Sequence, residues 1–572
     1  MKPRLLRLSG LCRVRRAATL ALVAWTGLRA ADAIPVGERV VELPKFEVTD
    51  SRILPQPEKW RYAEIPGFEI LSSLSTSATK RFVNDFLLLQ DVMNVIMPGL
   101  QTGSAIPTSL ILTGRGDAFD KFLPSDRGED RYRTNSLFFQ DAERGAIIVD
   151  FQLPELMLED NTSIESDPYR GFYREYFRYV IRRNVGQKSP AWFEEGLVQL
   201  FAGIDFTKKW INFGMIGDGF GGERTGDFNR MLARRALIPM GELLQDPPKR
   251  RTTFWEAQSY AFVHLCLYGR NLKYQRPFLQ FITRLDKEPL SEQLFKECFK
   301  LTYKQMALEL RGYLDFTDHK YMQFSAKKGQ SLKDPAPFSL LEAPDAVVGR
   351  IKGEALRLGG HDADARNALI APYIRGERDP RLLAALGLDE KAAGQDDRAR
   401  KFLEAAAGAK AVRARAYLEL ARLRLDEVRA KPGAANGLLT TQQVGFVLDP
   451  LFIARNQPPP QAAVYGLIAE AWGLSAEAPK SEHLAVVIEG IQRFPRDMAL
   501  LMQVTLLAAK RGFADEAKAL ADRGVKLAKE PGQQDRFRMI AAAFERDATP
   551  AAPVAAPKAA PAEESYLLKK IP

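Results

Sequence analysis

Residues 169–203 open as Tyr169-Arg170-Gly171-Phe172-Tyr173-Arg174-Glu175-Tyr176-Phe177-Arg178-Tyr179-Val180-Ile181-Arg182-Arg183-Asn184. After a short link come Ser189-Pro190-Ala191-Trp192-Phe193-Glu194-Glu195-Gly196-Leu197-Val198-Gln199-Leu200-Phe201, with Gly203 just beyond. Tyr169, Phe172, Tyr173, Tyr176, Phe177, Val180 and Ile181 recur at helical spacing and make one apolar face. Arg174, Glu175, Arg178 and Arg182 fall on the other side. Ser189 and Pro190 suit the cap and first turn of a second helix, and Gly203 suits its stop. Two consecutive helices are expected.

This stretch resembles the gluzincin-type zinc peptidases (thermolysin-like, of the peptidase-MA kind). In that family one helix carries H-E-x-x-H and a later helix carries a glutamate ligand in a W-x-x-E-G context. The second element is intact as Trp192-Phe193-Glu194-Glu195-Gly196. The first reads Arg174-Glu175-Tyr176-Phe177-Arg178, with arginine at both histidine positions. The resemblance places Glu175 at the general-base position, as a vestige, and Glu195 at the ligand position.

Zinc needs lone pairs from imidazole, thiolate or carboxylate. A guanidinium offers only donors and stays charged. A site without zinc is therefore expected, and without the activated water that zinc supplies. The four histidines, His264, His319, His361 and His483, lie elsewhere in the sequence. An ion-pair cluster of Arg174, Arg178, Glu175 and Glu195 would then join the two helices. The bland alternative is that these residues are the solvated side of an amphipathic helix.

Upstream, basic residues precede an apolar run over 17–28, and Ala31-Asp32-Ala33 fits a signal-peptidase site. The run is too short to span a membrane. The expected mature protein starts after Ala33 and is periplasmic or secreted, with no transmembrane segment. The leader holds seven basic residues and one acidic residue, so its removal takes the formal charge from +11 to +5. So mild a charge removes most of the case for nucleic-acid binding. Cys266 and Cys298 remain, and fit either a disulfide or two separate buried thiols.

Residues 34–60 read as an extended arm. From 60 to 156 the pattern is strand (68–71), helix (77–97), strand (109–112), then a hairpin of 136–139 and 146–150. This order matches the amino-terminal lobe of the resembled peptidases. By that resemblance the last hairpin strand would be the edge that takes an extended peptide. Gly217-Asp218-Gly219-Phe220-Gly221-Gly222 matches G-x-G-x-x-G formally, but no βαβ context surrounds it. The apolar helix 254–269 and those at 274–285, 291–299 and 303–316 resemble the carboxyl lobe. Tyr260 either points into the cleft or packs, and His264 reads as a core histidine. Beyond a linker at 324–345, alanine- and leucine-rich helices run through 382–388, 398–407, 412–428, 462–475, 481–494, 497–511 and 515–528. The segments 462–495 and 497–530 approach the tetratricopeptide period. An alanine–proline tail follows from 548.

The expected fold class is α+β. A thermolysin-like two-lobed pseudopeptidase domain (61–323) precedes a tetratricopeptide-like solenoid (346–546). The expected function is a non-catalytic, peptide- or protein-binding scaffold of the cell envelope. Its ligand would sit at the sheet edge or in the solenoid groove, with Glu175, Arg174, Arg178, Glu195, Trp192 and Tyr260 around the site. The competing reading is a working hydrolase in which Glu175 is the base and Arg174 or Arg178 steadies an oxyanion. No Ser-His-Asp or Cys-His set is legible to supply its nucleophile.

Overall fold

A computed structural model describes residues 42–46, 54–97, 106–114, 118–124, 135–152, 155–157, 163–165, 168–185, 189–214, 232, 235–249, 251–285, 288–315, 321–325, 334–528 and 530–547. The expected leader and its expected cleavage site at Ala33, the 217–222 glycine loop, His319 and the tail from 548 lie outside these residues. The chain divides into two units, Met1–Glu42 and Leu43–Pro572. Of the first, only Glu42 is described, outside any regular element.

The first secondary structure is a hairpin, β1 (Arg61–Ile65) and β2 (Phe68–Ser72). Gly67 turns it with φ +82°, a conformation open to glycine. Helix α1 (Thr76–Ile96) starts at Ser75, whose side chain accepts from the Ala78 amide. Strands β3 (Thr108–Thr113), β4 (Ser136–Gln140) and β5 (Gly145–Asp150) follow, then a short pair, β6 (Glu155–Met157) and β7 (Ser163–Glu165). Helix α2 (Pro168–Val185) leads to α3 (Ala191–Ala202). Strands β8 (Asp205–Phe206), β9 (Trp210–Phe213) and β10 (Met322–Ser325) form a second small sheet. Between β9 and β10 lie α4 (Met240–Leu243), α5 (Thr253–Tyr268), α6 (Gln275–Leu285), α7 (Glu292–Phe299) and α8 (Tyr303–Leu314).

The main sheet has the order β11-β1-β2-β3-β5-β4, where β11 (Leu341–Glu342) comes from the segment read as a linker. Strands β2, β3 and β5 run parallel; β4 is antiparallel to β5. One expectation is corrected here. The last hairpin strand, β5, is interior, and its partner β4 is the end strand. The composition explains this: β5 is Gly-Ala-Ile-Ile-Val-Asp, buried from Gly145 to Val149, as an interior strand requires.

Both faces of the sheet are covered. Ile70, Leu110, Leu112, Ile147 and Val149 pack under α1 and α2, in a core that continues through α3 to α5–α8. The expected two lobes thus share one apolar core. The other face (Leu71, Ile111, Leu137, Ile148) packs against Val348, Ile351 and Ala355 of helix α9 (Asp345–Leu358), and Ala365 and Ala368 of α10 (Asp362–Ile374).

From α9 to Asp547 the regular elements among the described residues are helices. The series continues with α11 (Pro380–Ala392), α12 (Asp396–Gly408), α13 (Ala414–Ala430), α14 (Thr441–Arg455) and α15 (Ala462–Gly473). It ends with α16 (Ser481–Arg493), α17 (Met498–Lys510), α18 (Ala514–Leu527) and α19 (Pro531–Asp547). Short connections fold the helices back on one another in pairs, and the first helices of successive pairs also touch. A mixed α+β part thus precedes a helical, repeat-rich part consistent with a solenoid. Close pairing needs small residues: a Cβ at Gly387 would lie 2.7 Å from Leu403 of the partner helix. The stretch 430–460, irregular by sequence, contains α14, started by a capping box of Thr440 and Gln443.

A buried ionic network ties sheet to repeats. Glu69 of β2 accepts from Arg350 of α9 at 3.0 and 2.6 Å, and from Arg381 of α11 at 2.9 Å. Arg413, just before α13, donates to Glu143 of the β4–β5 turn (2.7 Å) and to Glu354 of α9 (2.6 Å). Arg144 pairs with Glu354 at 2.9 Å. Burial works against the Glu69 charge, yet Arg350 and its neighbours hold that carboxyl far below the usual range. Removing one member strands its partners in a poorly solvated site. Arg413→Ala should therefore cost about 3–5 kcal/mol, whereas Arg538→Ala, at an exposed pair with Asp535, should cost under about 1 kcal/mol. Urea midpoints of the two variants check this.

Candidate functional site

Helix α2 is packed almost all round. Phe172, Tyr176, Phe177, Val180 and Ile181 are buried, and Tyr179 is buried too, edge-on to Phe68 and Phe138. The stripe of Arg174, Glu175, Arg178 and Arg182 faces α3. Helix α3 begins at Pro190, which itself holds the N-cap position without a side-chain cap, and ends at Gly203. Its Gly196 is required by the crossing with α5. A Cβ there would lie 2.4 Å from Val263 and 2.8 Å from the Ser259 carbonyl oxygen. The glycine of W-x-x-E-G is therefore a packing residue here.

Arg178 sits between three carboxylates. Its Nε donates to Glu175 Oε2 at 3.2 Å, Nη1 to Glu194 Oε1 at 3.0 Å, and Nη2 to Glu195 Oε2 at 3.0 Å. Arg182 adds a two-pronged contact to Glu194, at 2.9 Å through both Nε and Nη2. Gln199 donates to Glu195 Oε1 at 2.9 Å, and Ser136 of β4 donates to Glu175 Oε1 at 3.4 Å. Burial works against charging Arg178, but Glu195, Glu175 and Glu194 overcome it and raise its pKa well above the ordinary value. Burial likewise pushes Glu195 up; Arg178 and then Arg174 outweigh it and bring the carboxyl down to about 2.

Arg174 makes a different contribution. Its Nε is buried without a hydrogen bond. Its charge is sustained against burial by Glu256, Glu195 and Glu175 acting at longer range. Glu256, in the first turn of α5, is pushed up to about 7 by burial and then by the negative charge of Glu195. The cluster so built holds three guanidinium groups and four carboxyls, one of them partly protonated near neutrality.

These residues do not fit a zinc ion. Glu175, Glu194 and Glu195 each commit an oxygen to Arg178, and Arg174 and Arg178 offer donors only. Among the described residues, no group of three or more His, Cys, Asp or Glu is placed to hold a metal. What the arrangement does chemically is join α2, α3 and the end strand β4 by charge-assisted hydrogen bonds.

Of the residues singled out by sequence, Arg174, Glu175, Arg178 and Glu195 come together. Trp192 and Tyr260 do not line an open cleft. Trp192 is fully buried among Phe193, Phe262, Phe278 and Phe281, and Tyr260 is buried edge-on to His264. His264 is a core histidine, with ring nitrogens 2.7 Å from the Tyr313 hydroxyl and the Gly214 carbonyl. Cys266 and Cys298 are separate buried thiols. Sequence reasoning missed Glu194, Arg182, Ser136, Gln199 and Glu256. Arg182 was visible as the next turn after Arg178; Glu256 gave no local signal.

Comparison with known proteins adds little. No protein-family model matches the chain, and no curated protein matches it. Among solved structures it is similar to a thermophilic TPR protein of Thermus thermophilus, at 16% identity. The match covers 34% of this chain and 96% of the other, with a TM-score of 0.25, too loose to fix a repeat class.

Two outcomes test the cluster. Arg178→Met leaves three carboxylates facing one another and should lower stability by about 3–5 kcal/mol in urea unfolding; Arg178→Lys should recover only part, since one ammonium cannot replace the planar fork. Glu256 has a raised folded-state pKa, so its protonated form favours folding. That contribution is whole below its unfolded value of 4.5 and is lost as pH rises through about 7. Glu256→Gln should therefore gain about 1–2 kcal/mol at pH 8 and nothing at pH 4, read as melting temperature across pH.

Proposed function

We propose that this chain is an exported, non-catalytic relative of the gluzincin-type zinc peptidases, joined to a tetratricopeptide-like repeat region. It acts as a peptide- or protein-binding scaffold in the bacterial cell envelope. The observation that carries the reading is the position of Arg178. One guanidinium bonds Glu175, Glu194 and Glu195, the carboxylates that border the resembled metal site. Two arginines do the joining that a divalent cation does in the family, and no activated water is formed.

The order of β2, α1, β3, the β4–β5 hairpin, α2 and α3 supports the relationship, as does W-x-x-E-G at the α3–α5 crossing. A peptide adding as a further strand would lie beside β4, the end strand that Ser136 links to Glu175. The hydrolase alternative is weakened by the same geometry, because both carboxylate oxygens of Glu175 are already engaged, by Arg178 and by Ser136. The export reading rests on the leader sequence alone.

The test is elemental analysis of the purified mature protein for zinc, with an assay for cleavage of an unfolded protein in the presence and absence of chelator. No zinc and no cleavage are expected; stoichiometric zinc or chelator-sensitive cleavage would overturn the reading. The double change Arg174→His, Arg178→His should create zinc affinity measurable by titration. A folded double variant indifferent to zinc would count against the family relationship.

A further inference from the structure

The arm read as 34–60 places Leu43–Phe46 against the first repeats. Phe46 lies between two aromatic rings: edge-on to Tyr373 of α10 (centroids 5.6 Å apart) and stacked on Phe402 of α12 (5.9 Å). The Arg398 guanidinium stands 4.5 Å from the centre of the Phe46 ring, and that of Arg366 stands 5.8 Å away. The backbone is held as well. The Tyr373 hydroxyl donates to the Pro44 carbonyl at 2.8 Å, and Arg398 Nη1 donates to the Lys45 carbonyl at 3.1 Å.

The pocket is assembled by the repeats themselves. Glu390 of α11 is fully buried, and its carboxylate accepts from Arg366 at 2.7 Å and from Arg398 Nε at 3.1 Å. That buried charge fixes both guanidinium groups over the place where the ring enters, whichever segment supplies the ring. A buried carboxylate is costly unless paired, so this is a constructed arrangement and not incidental packing. The occupant is held by these side-chain contacts and not by a strand ladder: of Leu43–Phe46, Pro44 is buried, Leu43 and Phe46 are partly buried, and Lys45 is exposed.

We propose that Tyr373, Phe402, Arg366 and Arg398 form a recognition pocket for an extended peptide carrying Pro-x-Phe, which this chain fills with its own Leu43–Phe46. A partner segment of the same chemistry displaces the arm and takes its place. Two carbonyl acceptors and one aromatic side chain define that chemistry. The inference rests on the peptide-binding part of the function proposed above, and gives it a location and a ligand class. It does not depend on the metal-free site, so the two fail separately.

The test uses the full chain and a fluorescein-labelled peptide of the sequence 41–48, followed by anisotropy. Phe46→Ala takes the competing ring from the chain's own arm and should bind the peptide at least tenfold more tightly than the native chain. Adding Glu390→Gln should reduce that binding at least tenfold. No binding by the Phe46→Ala chain at millimolar peptide would overturn the proposal, as would equal binding of a control peptide with alanine in place of its phenylalanine. Should Phe46→Ala not fold, an environment-sensitive dye on Lys45→Cys in the otherwise native chain gives the second measurement. Millimolar peptide, but not the alanine control, should shift its emission by releasing the arm; the same emission with both would overturn the proposal. Any outcome leaves the zinc analysis unaffected.

Discussion

One guanidinium, that of Arg178, joins helix α2 to helix α3. Its three hydrogen-bonding edges reach one carboxylate on its own helix and two on the next. A planar fork with fixed directions does this where a flexible ammonium would not. The geometry in turn fixes which way α3 leaves the end of α2. It also sets Glu195 near Arg174 and so determines the environment of Glu256 on α5. Neutral packing alone would join these helices at lower desolvation cost. The charges instead specify one angle and one register, because any slip leaves a buried ion without its partner.

The two-helix stretch at 169–203 was legible because its periodicity is local and its apolar side chains are large. So were the hairpin around 141–145 and most of the repeat helices, each announced by spacing, caps and turns. Other features are products of tertiary contact. Glu69 alternates with Phe68 and Ile70 along β2 and so reads as a residue on a solvated face. The helix that covers this face lies far along the chain, and Arg350 meets Glu69 there. Strand β11 is two residues long, and only its neighbour β1 makes it a strand. Glu256 looks like an ordinary first-turn acid until α3 brings Glu195 beside it.

The candidate site follows the same rule. Arg174, Glu175, Arg178 and Glu195 were readable because a motif with known spacing was missing two letters. Their true partners were not, since Glu194 is adjacent to the expected residue and Ser136 arrives from a strand 39 positions away. Trp192 illustrates the opposite error: an aromatic residue inside a motif looks functional, yet it is buried among Phe193, Phe262, Phe278 and Phe281. Tyr260 packs, one of the two readings its sequence allowed.

The salt-linked seam between β2, the β4–β5 turn and helices α9–α13 has an evolutionary corollary. Halves that meet through matched ions cannot be shuffled as cassettes, because a foreign sheet would bring no acid for Arg413 and a foreign superhelix no base for Glu69. Drift at either bank must be answered on the other. Paired changes at 143 with 413, or at 69 with 350, are thus the signature this seam should leave in related chains.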